Sequence, residues 1–158
     1  VITSASTYSM FMAFSYIAQG NYATVASIGG ASYPMIRFFQ LDSASPRNIR
    51  IEGKTASNSL ATSATGSDVS VGSLYIGSVV NESPYITQYL NGLSDAAGDD
   101  YDFGDYSVDR IVLGASSAAG TPANCYIAEV VFYNRAVNEG ERKRVENYLG
   151  RKYGNIMP

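Results

Sequence analysis

Five aspartates fall within a short stretch, at Asp99, Asp100, Asp102, Asp105 and Asp109, and Asp95 stands just ahead of them. Calcium takes roughly six to eight oxygen ligands, and a carboxylate-dense segment of this size can supply several of them. Asp99, Asp100, Asp102 and Asp105 are the expected ligands on that reading, although their spacing is not that of an EF-hand loop. The competing reading is a solvated acidic loop whose aspartates bond their own backbone in Asx turns. Carboxylates so placed also accept hydrogen bonds from sugar hydroxyls, and Tyr101 and Tyr106 offer ring faces for stacking. Asn91 belongs to the Asn91-Gly92 pair that leads into this segment. It joins Asp99, Asp100, Tyr101, Asp102 and Tyr106 as the expected ligand-binding set.

The remaining composition narrows the chemistry. The 158 residues include no histidine and one cysteine, Cys125. That removes intrachain disulfides, thiolate zinc sites, and the Ser-His and Cys-His dyads of nucleophilic catalysis. The formal net charge is −3, and the one basic cluster, Arg142-Lys143-Arg144, is interleaved with Glu139, Glu141 and Glu146. A surface that tracks phosphates needs unmixed Lys and Arg, so nucleic acid is not an expected partner. No apolar run approaches the ~20 residues that cross a bilayer. The chain opens at Val1 without a basic-then-apolar leader and reads as a fragment or processed chain. Thirteen tyrosines and no tryptophan supply the rings: Tyr16, Tyr126, Tyr148 and Tyr153 read as core or helix-docking. Tyr22, Tyr33, Tyr101 and Tyr106, in Gly-rich turns and the acidic segment, are the exposed ones. Asn81-Glu82-Ser83 fits a glycosylation tripeptide, but Pro84 follows it.

Short strands must position these residues. Met10, Met12, Phe14 and Tyr16 alternate with Phe11, Ala13 and Ile17, so the stretch from Ser9 to Ile17 predicts a central strand covered on both faces. Further strands are expected over Thr24–Ile28, Met35–Leu41 and Asn48–Glu52; in the last, Ile49 and Ile51 alternate with Asn48, Arg50 and Glu52, leaving one face wet. Thr55–Asp68, rich in Ser, Thr, Ala and Gly, reads as a loop or a weak strand. A strand within Val69–Val80 turns Leu74, Ile76 and Val80 inward. Tyr85–Leu90 runs into the hairpin signal Asn91-Gly92, the acidic segment extends to Asp109, and Arg110–Gly114 and Tyr126–Tyr133 complete the strands. The period then changes. Asn138 and Glu141 make a capping box, Val145, Tyr148, Leu149 and Tyr153 form a stripe at helical spacing, and Gly154 follows the basic pair Arg151-Lys152. Gly150 inside this helix costs roughly 1 kcal/mol relative to Ala, which packing must offset. The strand pattern alone argues for an all-β sandwich or barrel, and with the one change of period the expected fold is a two-sheet antiparallel sandwich with one short C-terminal helix, as a single domain over residues 1–158.

The closing third of the chain carries a resemblance. Arg110-Ile-Val-Leu-Gly-Ala-Ser, then Cys125-Tyr-Ile-Ala-Glu-Val-Val-Phe-Tyr-Asn-Arg-Ala-Val, then Tyr148-Leu149 to Lys152-Tyr153-Gly154 is similar to the ending of concanavalin A-like lectin/glucanase domains of the laminin G-like type. Tyr89-Leu90-Asn91-Gly92 resembles the family's strand that ends in an Asn-Gly turn. Glucanases of this fold place Glu, Asp and Glu on alternate positions of one strand. Here Val131 and Tyr133 occupy the positions two and four residues after Glu129, so the carboxylate pair that glycoside cleavage requires is missing. The resemblance implies that Glu129 is structural and that the chain is not an enzyme.

Two functions are expected from the family. One is a non-catalytic recognition module that binds a glycan or a cell-surface receptor, within a larger secreted or phage-appendage protein. The other is a structural domain of an extracellular or virion assembly, with homo-oligomer or parent-assembly contacts. Both imply an extracellular or virion-surface location, and calcium is the one cofactor the residues suggest.

Overall fold

The computed structural model describes residues 2–3, 7–18, 22–29, 35–41, 48–54, 60–82, 85–97, 107–108, 110–116 and 120–154. Its strands are β1 (Ile2–Thr3), β2 (Tyr8–Tyr16), β3 (Thr24–Gly29), β4 (Met35–Leu41), β5 (Asn48–Lys54), β6 (Leu60–Asp68), β7 (Leu74–Glu82), β8 (Tyr85–Leu90), β9 (Leu93–Ala97), β10 (Ser107–Val108), β11 (Arg110–Leu113) and β12 (Cys125–Tyr133). One helix, α1 (Glu139–Tyr153), follows. Two five-stranded antiparallel sheets, ordered β12-β2-β7-β8-β9 and β11-β3-β4-β5-β6, stack face to face, and β1 pairs separately with β10. This is the two-sheet antiparallel sandwich the alternation predicts, in the all-β jelly-roll form that the resemblance implies.

Strand β2 sits inside its sheet, as its two covered faces require. Met10, Met12, Phe14 and Tyr16 enter the core between the sheets, with Ile28, Ile36, Phe38, Leu41, Ile49 and Ile51 opposite them. Phe11 and Ala13 face the other way and meet Leu149 of α1 in a second apolar cluster with Val137 and Ile76. A β-strand that feeds two cores needs apolar residues on both sides of its pleat, and β2 has them.

The helix obeys its caps. Asn138 Oδ1 accepts the Glu141 N–H at 2.9 Å, Glu141 Oε2 accepts the Asn138 N–H at 3.0 Å, and Gly154 ends the helix at φ 82°.

Of the two readings open for Thr55–Asp68, residues 60–68 take the strand, because their backbone pairs with β5 whatever their weak propensity. Several expectations need correction. Leu74, Ile76 and Val80 turn toward α1, not into the space between sheets, where Tyr75 and Val79 lie instead. Residues 93–97 and 107–108 are strands, so the stretch from Asn91 to Asp109 is not one continuous loop. Ile17 lies past the end of β2 and is exposed, and so is Tyr126, which faces solvent on β12. Tyr148 is 49% exposed, while Arg142 and Glu146 are buried. The physical reason is the sheet under the helix. Ser78 donates its hydroxyl to Glu146 Oε1 at 2.5 Å, and the Arg142 guanidinium carbon lies 3.8 Å from the centroid of the Tyr89 ring. A hydroxyl and an aromatic face on the strands draw an ion pair inward, so that of the apolar stripe Leu149 stays buried while Tyr148 is turned outward.

Candidate functional site

The expected site residues divide. Asn91 occupies the β8–β9 turn at φ 50°, with Gly92 at 84°, the left-handed pair that a tight hairpin demands. Its Oδ1 accepts the Ile76 N–H at 2.9 Å, and its own N–H donates to the Ile76 carbonyl at 2.7 Å. Asp99, Asp100, Tyr101, Asp102, Asp105 and Tyr106, and with them the calcium reading and the exposure of Tyr101 and Tyr106, lie outside the described residues, as does Tyr33. Among the described residues no group of three or more acidic or thiol side chains converges on a metal-sized site. Asp95, at the head of the acidic stretch, belongs to β9. Its Oδ1 accepts the Ser67 N–H at 2.6 Å and its Oδ2 accepts from the Gln88 amide at 3.0 Å, which fastens β9 to β6 across the sandwich edge.

A different constellation sits on the outer face of the second sheet. Strands β4 and β5 pair so that Arg37 faces Glu52 and Gln40 faces Arg50. Arg37 Nη1 meets Glu52 Oε1 at 2.7 Å, and Arg50 Nη2 meets Glu52 Oε2 at 2.5 Å. Arg50 Nε donates to Gln40 Oε1 at 3.2 Å, and the Gln40 amide donates to the Tyr22 carbonyl at 3.2 Å. Two guanidiniums thus bracket one carboxylate. The Arg37 and Arg50 side chains are only 10% and 13% exposed. Tyr22, 40% exposed as its sequence context predicts, places its ring 5.1 Å from the Arg50 guanidinium carbon. Arg37 Nε is buried and has no hydrogen-bond partner among the described residues. A buried N–H without an acceptor costs about 1–3 kcal/mol.

Backbone strain gathers at the same place. Four non-glycine residues hold φ in the left-handed region among those described, and three of them, Tyr22, Phe39 and Thr121, surround this face. Such conformations cost of order 1–3 kcal/mol each and persist only where the surroundings enforce them. At Phe39 the strand bulges, so that Phe38 and Phe39 both enter the core and Gln40 returns to the face that carries Arg37. The Tyr16 hydroxyl donates to the Phe39 carbonyl, and burial raises that hydroxyl's pKa well above its ordinary value, which keeps it a donor. Thr121 and Thr24 share a hydroxyl contact at 3.0 Å, and the Thr24 N–H donates to the Thr121 carbonyl at 3.0 Å.

Sequence reasoning missed Arg37, Gln40 and Thr24 as a group, although it put Arg50 and Glu52 on one wet face and Tyr22 among the exposed rings. The usable signal was Arg37, the one charged residue in a mostly apolar strand.

Glu129 stands on β12, at a register shift following Ile127. Its carboxylate accepts from Lys152 Nζ at 2.8 Å, from the Tyr153 hydroxyl at 2.9 Å and from the Tyr148 hydroxyl at 3.2 Å. The hydrogen bond from Lys152, then that from Tyr153, holds its pKa below the usual carboxylate range. A carboxylate so held is a brace for the helix and a poor proton donor at neutral pH.

The family model for the concanavalin A-like lectin/glucanase superfamily, of the laminin G type, matches residues 1–141. The chain belongs to that superfamily. A comparison with curated sequences finds no match for this lectin/glucanase-type chain. Among solved structures, the Ruminococcus gnavus IT-sialidase CBM40 shares 14% identity at a TM-score of 0.69, over 90% of this chain and 84% of that one. The same module bound to α2,6 sialyllactose matches at 15% identity and TM-score 0.69. Trypanosoma rangeli sialidase in complex with sialic acid matches at 14% identity and TM-score 0.70, over 95% of this chain and 24% of that enzyme. The chain thus spans about a quarter of the sialidase's length. At such identities the likeness is one of fold.

Proposed function

We propose that this lectin/glucanase-type chain is a non-catalytic glycan-recognition module whose ligand, a sugar carrying a carboxylate, is taken at the face formed by Tyr22, Arg37, Gln40, Arg50 and Glu52. The observation that carries the reading is the Arg37–Glu52–Arg50 array with its buried, unpartnered Arg37 Nε. A guanidinium fork matches a carboxylate in two parallel hydrogen bonds, and the buried Arg37 Nε–H has no acceptor among the described residues. The left-handed backbone at Phe39 returns Gln40 to the face that carries Arg37, and that at Tyr22 stands beside Arg50. Likeness over most of its length to a carbohydrate-binding module solved with sialyllactose adds support. Both oxygens of Glu52 are engaged by arginines and Glu129 is engaged by the helix, which supports a binding rather than a cleaving role. An extracellular or virion-surface setting within a larger protein belongs to the same proposal.

Calorimetric titration with α2,6 sialyllactose and with lactose tests it. Binding of the first, weakened about tenfold or more in Arg37→Lys with an unchanged far-ultraviolet spectrum, is the expected result. Equal affinity for both sugars, or an Arg37→Lys variant that binds as the parent does, overturns the carboxylate assignment. The Asp99–Tyr106 segment is tested alongside by Tyr101→Ala/Asp102→Ala with and without calcium. If no glycan binds, a structural domain of an extracellular or virion assembly becomes the better reading.

A further inference from the structure

Two rows of outward side chains cross the strands that carry Arg37. Ser27, Arg37 and Glu52 stand abreast on β3, β4 and β5, and Thr24, Gln40 and Arg50 stand abreast on the same strands. Neither row is open. Ser27, Thr24 and Gln40 are fully buried, and Arg37 and Glu52 are nearly so. Their polar groups are largely engaged within the fold. The Ser27 hydroxyl donates to the Ala115 carbonyl at 3.0 Å, and the Thr24 hydroxyl and the Gln40 amide both donate to the Tyr22 carbonyl at 3.2 Å. Those two bonds pin Tyr22 at φ 57°, and its ring is the one exposed side chain among the described residues that contact the array. From that ring the contacts pass to Arg50, then to Glu52, then to Arg37, whose Nε is the buried donor without a partner. The face therefore has its mouth at Tyr22 and an unused donor at its inner end.

Resting on the glycan reading and narrowing its ligand, we infer that the face takes an acidic sugar as the end of a glycan chain and not as an internal unit. The terminal ring lies against Tyr22 and its carboxylate points inward to Arg37. Arg37 gives Nη1 to Glu52, so the edge that bears Nε–H is the one left for the ligand. An internal unit carries linked neighbours on two sides and needs an open row along which both can leave. Both rows here are closed by buried side chains, so a chain has one way out, past Tyr22. A tyrosine ring presents an apolar face to the C–H side of a sugar and a hydroxyl at its rim, which makes Tyr22 the contact that fixes which unit is read. Gln40 and Thr24, which hold its carbonyl, are positioning residues.

Calorimetry compares α2,6 sialyllactose with the α2,8-linked dimer, tetramer and octamer of sialic acid, which differ in internal acidic units but each have one non-reducing end. One protein per oligomer is expected at every length, with affinities per oligomer within about twofold of one another. A protein-to-oligomer ratio or an affinity that grows with length, while sialyllactose still binds, overturns the inference and leaves the glycan reading standing. Binding of sialyllactose but of no oligomer also overturns it, since a terminal acidic unit is then not sufficient. Absence of binding to all of them overturns both. Tyr22→Trp keeps a ring at the mouth and gives the chain its one tryptophan. Its emission should shift on addition of sialyllactose and saturate with the calorimetric affinity. Tyr22→Ala should bind about tenfold or more weakly, with an unchanged far-ultraviolet spectrum. An emission that stays constant while calorimetry records binding removes Tyr22 from the contact and overturns the end-on placement.

Discussion

The side-chain carbonyl of Gln88 accepts the backbone N–H of Phe39 at 3.1 Å, from one sheet to the other through the buried core. Its amide nitrogen meanwhile donates to Asp95. The bulge that returns Gln40 to the arginine face is therefore held from behind, by a residue that never reaches that face. Opposite it, a Cβ on Gly77 would lie 2.5 Å from the Phe39 ring, so only glycine leaves room for the ring that the bulge directs inward.

Gln88→Met keeps the volume and removes the acceptor. The orphaned Phe39 N–H should lower stability by about 1–3 kcal/mol, read from the urea midpoint, and glycan affinity should fall with it. Gly77→Ala should destabilise by a similar amount, about 1–3 kcal/mol, because the ring must move. A parental midpoint in both variants would show that the bulge is not under tension.

The helix rests on Leu149, which is fully buried. Leu149→Ala should cost about 2–4 kcal/mol, as do other large-to-small core changes. An unchanged denaturant midpoint would mean that α1 does not dock as described.

Arg142 and Glu146 form an ion pair with side chains 6% and 2% exposed. Arg142→Met leaves Glu146 charged and uncompensated, at an expected cost of about 3–5 kcal/mol, whereas Arg142→Met/Glu146→Leu should recover most of it. The two midpoints, compared with the parent, measure how much of the loss is the stranded carboxylate.

Acid should loosen the start of the helix. Arg135, then the Asn138 N–H, lowers the Glu141 carboxyl from 4.5 to about 2. A folded value below the unfolded one stabilises the protein above about pH 4.5, and this contribution disappears as the pH falls toward about 2. Glu129, lowered by Lys152 and Tyr153, acts in the same direction. Melting temperatures across this range should fall less steeply in Glu141→Gln, which should also melt lower than the parent at neutral pH. Equal slopes would remove Glu141 from the account.

Glu129→Gln should reduce thermal stability by weakening the bond to Lys152, with no polysaccharide hydrolysis in parent or variant. Turnover abolished by that single change would overturn the structural assignment of Glu129.

Much was decided locally and is legible in order along the chain. The capping box at Asn138 and Glu141, the left-handed turn at Asn91-Gly92 and the two-faced pattern of β2 each depend on neighbours a few residues away, which is why they can be read from spacing. The buried partners of the helix cannot, because Arg142 and Glu146 owe their burial to Tyr89 and Ser78, more than fifty residues earlier. The same holds for the site. Alternation placed Arg50 and Glu52 on one face, but the registry that sets Arg37 opposite Glu52, and the bulge that brings Gln40 beside Arg50, arise only when two strands pair over a core that accepts both Phe38 and Phe39. A period of two assigns faces within one strand; which charges meet across strands is fixed by the packing that sets their register.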